Sequence, residues 1–124
     1  MVTYNEYLKS ILTKIIESHT DLTQMTDNPG DLDIIKKKLL KINGFAKVIV
    51  NKIDESKISS SDFRPLKSKL EYYMDTYFFV QEIETMASLY SNDVSRVKNM
   101  RLKILEAFDD RKLIGSIKDL CEKI

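Results

Sequence analysis

One histidine, one cysteine and a short series of carboxylates are the residues of this chain that could do chemistry. His19 falls among apolar residues at helical spacing, where a lone imidazole is more often a packed core or rim residue than a ligand or a base. Cys121 has no sequence cue for thiolate activation. As the single cysteine it excludes an internal disulfide and a thiolate zinc cluster, and it fits a reducing, intracellular (cytoplasmic) setting. Glu71, Asp75 and Glu82 share an acidic helix face, but no Glu-x-x-His pair accompanies them, so the di-iron arrangement of helical bundles is absent. No metal and no cofactor is expected. Neither a glycine-rich nucleotide loop nor a G-x-S-x-G elbow occurs, and any histidine-based triad would have to use His19. The expectation is a protein that is not an enzyme, with no catalytic residues.

What remains is binding, and binding depends on the elements that present a surface. The 124 residues are enough for one domain, 1–124, with a core of its own. Hydrophobic residues make up 43% and charged residues 31%, a globular balance rather than a disordered one. Twenty basic residues face nineteen acidic ones, which weighs against a dedicated nucleic-acid binder. The N-terminal stretch mixes Lys and Glu into its apolar positions, so neither a signal peptide nor a membrane span is expected there.

With three glycines and two prolines, and apolar residues at three-and-four spacing, the chain reads as all-α: an antiparallel four-helix bundle with a short C-terminal fifth helix. A capping box (Thr3, Glu6) starts the first helix, whose apolar face runs from Tyr4 through Leu8, Ile11, Leu12, Ile15, His19 and Leu22 to Met25. Pro29 and Gly30 stop it, and Asp31 is placed as the cap of the second helix, which carries Leu32, Ile35, Leu39, Ile42, Ala46, Ile49 and Ile53. Pro65 opens a third helix running to Tyr90. A fourth spans residues 94–108, and Asp109 or Asp110 is placed as the cap of a last helix lined by Leu113, Ile117, Leu120 and Ile124.

The third segment holds six of the eleven aromatic residues. At about 100° per residue it resolves into two apolar stripes roughly 130° apart. One is Leu66, Leu70, Tyr73, Tyr77, Val80 and Ala87; the other is Tyr72, Phe79, Ile83, Met86 and Tyr90. Phe78 and Leu89 interrupt the polar face between them. A corner helix of a bundle needs a narrower apolar arc, so the second stripe requires a cover. Either the last helix folds over it, or it meets a protein partner or its own copy in a homodimer, a role that suits Tyr and Met. Tyr72, Phe79, Ile83, Met86 and Tyr90 are therefore the candidate partner-binding residues.

Charge is also patterned. Glu84 lies in the first stripe and Arg101 in the apolar stripe of the fourth helix, so a chain reversal near Ser91 and Asn92 would let them form a partly buried pair. Six lysines and no acid lie between Ile34 and Ile53. Lys36, Lys37, Lys38 and Lys41 are the candidate phosphate contacts of a nucleic-acid accessory protein, although the lysines scatter around the helix instead of forming one ridge. The stretch FRPLKSKLEYYMD resembles the Arg-Pro-Leu, Lys-Leu and Tyr segment of neuroguidin-type helical proteins, through Arg64, Pro65, Leu66, Lys69, Leu70 and Tyr72. That resemblance covers about a tenth of the chain and implies an association with RNA processing. The leading expectation is a helical protein-interaction module (adaptor, regulator or assembly subunit), with the RNA-accessory role as its alternative.

Overall fold

A computed structural model describes residues 3–28, 30–90 and 93–124. All regular structure among them is helical: α1 (Tyr4–Thr23), α2 (Asp31–Lys52), α3 (Phe63–Thr76), α4 (Phe79–Tyr90), α5 (Val94–Asp109) and α6 (Leu113–Lys123), with short 3-10 turns at Glu55–Lys57 and Asp110–Lys112. Thr3 caps α1 as the sequence dictates. Its hydroxyl accepts from the Glu6 amide at 3.1 Å, while the Glu6 carboxylate accepts from the Thr3 amide at 3.3 Å. The α2 seam is buried along its whole length, from Leu32 to Ile53. α1 lies along α2, α6 closes over α1, α3 and α5, and α4 rests on α2 and α5.

Two expected caps are not formed. Gly30, not Asp31, precedes α2, and the Asp31 carboxylate accepts from the Asn28 amide at 2.8 Å. Neither Asp109 nor Asp110 caps α6; its cap position is Lys112, in left-handed conformation beside left-handed Arg111. Asp110 instead accepts from the Tyr77 hydroxyl at 3.0 Å. The expected reversal at Ser91 and Asn92 and the stop at Pro29 lie outside the described residues.

The largest departure concerns the third segment, which is two helices. Tyr77 is extended (φ −114°, ψ 128°), and α4 restarts at Phe79. Below the break, Leu66, Leu70 and Tyr73 face the core; above it, Phe79 (2% exposed) and Ile83 (1%) do so. Within one straight helix the two stripes would need covers on two separate sides. The break resets the phase and buries the inner part of each. Magnitudes favour this. Burying Phe79 and Ile83 contributes about 1.5–3 kcal/mol apiece, whereas each interrupted helical hydrogen bond costs about 0.5–1.5 kcal/mol net. Aromatic contacts hold the joint: Tyr77 stacks on Phe79 (5.2 Å between ring centres), and Tyr73 stacks on Phe108 (4.9 Å).

Candidate functional site

The five residues expected to form one exposed stripe are separated by the break. Phe79 and Ile83 belong to the core, on an α4 that packs against α2 and α5. Met86 is half-buried against that core. The Arg111 guanidinium lies 3.8 Å from the centre of the Tyr72 ring, and Arg96 sits at the same distance over Tyr90. The five residues thus do not form one continuous exposed stripe: Phe79 and Ile83 are buried, Tyr72 and Met86 are half-buried, and Tyr90 stays 40% exposed beneath Arg96.

The expected Glu84–Arg101 pair does not form. Glu84 reaches Lys36 at 3.5 Å, and Arg101 (8% exposed) turns the other way, toward the connection between α1 and α2. There its Nε donates to Asp27 Oδ1 at 3.1 Å and one terminal nitrogen donates to Asp27 Oδ2 at 3.4 Å. The other terminal nitrogen donates to the Leu22 carbonyl at 3.1 Å. Leu22 is in the last turn of α1, whose carbonyls lack helical partners and carry the negative end of the helix dipole, so a buried guanidinium there is satisfied on both counts. Asp27 adopts φ 58°, a left-handed conformation that aspartate tolerates better than most residues. This is a structural lock.

Two of the four candidate phosphate-binding lysines are engaged internally: Lys36 with Glu84, and Lys38 with Asp21 at 2.7 Å. Lys37 and Lys41 are exposed. His19 is buried edge-on to Phe108, with ring centres 5.5 Å apart, and burial followed by the nearby Lys118 charge lowers its pKa. Cys121 is half-buried, its Sγ 3.5 Å from the Thr13 hydroxyl. Among the described residues no three His, Cys, Asp or Glu side chains gather as a metal site would need. No helix among them is long and apolar enough to cross a membrane.

The break itself opens a concavity beside α2. A groove of about 430 Å³ runs between α2 and the α3–α4 joint. Buried Tyr73 and Phe79 contribute to its lining, and the Tyr73 hydroxyl donates to Asn43 Oδ1 at 2.8 Å. Burial pushes the Tyr73 phenol far above its usual range, so it stays a neutral donor. Leu40 (49% exposed) and Phe78 (57% exposed) also line the groove, with half-buried Met74, Tyr77 and Val80. Gly44 and Lys47 complete the α2 wall. Phe78 was marked in the sequence by its interruption of the polar face. Leu40 was missed, because it follows the seam residue Leu39 and looks like seam until the helix is projected.

No family model, curated protein or solved structure matches the chain. The likeness of residues 63–75 to neuroguidin-type proteins is confined to a local pattern, a proline near a helix start followed by Leu and Lys.

Proposed function

We propose that this protein is a non-enzymatic, cytoplasmic helical interaction module that binds a protein partner through the groove between α2 and the α3–α4 joint. The antiparallel bundle order of its long helices, which short connections favour, is part of this reading. The observation that carries it is the fate of two adjacent phenylalanines: Phe79 is taken into the core while Phe78 is left mostly in solvent beside a preformed apolar groove. Large apolar side chains gathered at a concavity are the usual anchor points of protein recognition. Phosphate contact through α2 is the weaker reading, because Lys36 and Lys38 already hold carboxylates.

Selection of short random peptides on the immobilised chain, followed by counter-screening against Phe78→Asp, tests the proposal. Peptides that bind the wild-type chain and lose binding to Phe78→Asp are expected. A selection whose products bind both proteins equally, or yields no binders, would overturn the groove as a docking site. If Phe78→Asp instead converts a sedimenting dimer to a monomer, the partner is a second copy.

A further inference from the structure

We infer that the groove takes an acidic peptide segment of a protein partner, with a large apolar side chain seated beside Phe78 and carboxylates on the α2 wall. This rests on the docking reading above and specifies its ligand. The first observation is space. Gly44 lies on the groove wall between Leu40 and Lys47, one helical turn from each. A mid-helix glycine lowers helix propensity, and nothing inside this molecule calls for one. A Cβ there would meet no atom within 4 Å, and the residue has no positive φ. The missing side chain keeps the wall low and leaves room for a guest.

The second observation is charge. Among the described residues Lys47 is the only charged one lining the groove, and α2 carries no acid after Asp33. Lys37 and Lys41 add exposed positive charge further along the same helix. The acids of α4 do not line it: Glu84 pairs with Lys36, and Glu82 pairs with Lys103 at 2.9 Å in an adjoining hollow on the other side of Phe78 and Phe79.

The third observation concerns the backbone. The first hydrogen bond of α4 runs from the Glu82 amide to the Phe78 carbonyl at 3.2 Å. The amides of Phe79, Val80 and Gln81 ahead of it therefore have no helical acceptor, and all three residues line the groove. They add a positive dipole end to the Lys47 charge, on the opposite wall. The aliphatic part of the lining, Leu40, Met74 and Val80, favours a peptide over a nucleic-acid strand, whose bases would stack on Phe78 and leave those side chains uncovered.

The test is titration of the isotope-labelled full chain with three end-capped synthetic peptides. The first places Phe and Leu one helical turn apart between paired glutamates, the second replaces the glutamates with lysines, and the third replaces Phe and Leu with alanine. Amide shifts at Gly44, Lys47, Val80 and Gln81 are expected with the first peptide, and affinity lower by about tenfold or more with the other two. Lys47→Glu should weaken the first peptide and strengthen the second. Gly44→Leu should weaken both apolar peptides by filling the groove, while its thermal melting is no lower than wild type, which separates blocked binding from a damaged fold. Equal affinity for the acidic and basic peptides, shifts away from the groove, or no response to the first peptide would overturn the ligand assignment. If peptides dependent on Phe78 nevertheless emerge from selection, the docking reading survives that result; if none do, both fall together.

Discussion

The Asp27–Arg101 corner and the Phe78 groove both form where a helix ends, and they are finished in opposite ways. At the first, the chain leaves α1 through a left-handed aspartate, and a guanidinium from α5 closes the gap with three hydrogen bonds. At the second, the chain leaves α3 through an extended tyrosine, and apolar side chains line an opening that remains open. A closed corner fixes the fold. An open one, floored by buried Tyr73 and Phe79, leaves apolar side chains uncovered. The difference separates the residues that stability needs from those it can spare.

The sharpest way to break the comparison is to remove the closed corner. Asp27→Ala should cost about 3–5 kcal/mol, because it leaves a buried guanidinium without its carboxylate and puts alanine, which adopts left-handed backbone less readily than aspartate, at φ 58°. Urea unfolding at neutral pH measures it. Arg101→Met should cost less, about 1–3 kcal/mol, the penalty for an unsatisfied Leu22 carbonyl, since Asp27 retains access to water. Equal losses from the two substitutions would mean that the buried charge is not the cause.

The adjacent phenylalanines sharpen the contrast on the open side. Phe79→Ala should destabilise by about 3–5 kcal/mol as a core cavity, and Phe78→Ala should stay within about 0.5 kcal/mol of wild type. The smallest effect has the opposite sign. Gly44→Ala should stabilise by about 0.5–1 kcal/mol, because it restores helix propensity where no atom opposes the new methyl group. A loss of stability there would show that the open wall serves the fold itself.

Much of the fold was legible from periodicity. The α1 and α2 seams, the Thr3 capping box and the burial of Arg101 all follow from spacing within a single helix. The partner of Arg101 did not follow, because Asp27 sits in an irregular connection 74 residues away and no helical register points to it. The break at Tyr77 was hidden for another reason. No proline or glycine marks it, and the low helix propensity of Thr76 to Val80 is a weak signal beside the apolar period that runs through them. Its trace was the excess of apolar circumference itself. Two stripes on one continuous helix call for a cover, either the last helix or a partner, whereas a change of phase between two shorter helices takes the inner part of each inward. Once the break is placed, Phe78, already out of step with the stripes, becomes the informative residue.

The most direct measurement is the pattern of sequential proton contacts through residues 76–80 of the labelled chain. A strong contact from the Tyr77 α-proton to the Phe78 amide, with weak amide-to-amide contact between them, is expected of an extended Tyr77, and the Phe78 ring should show few contacts to core methyl groups. Unbroken helical amide-to-amide contacts through that stretch would contradict it, and the groove would lose its basis.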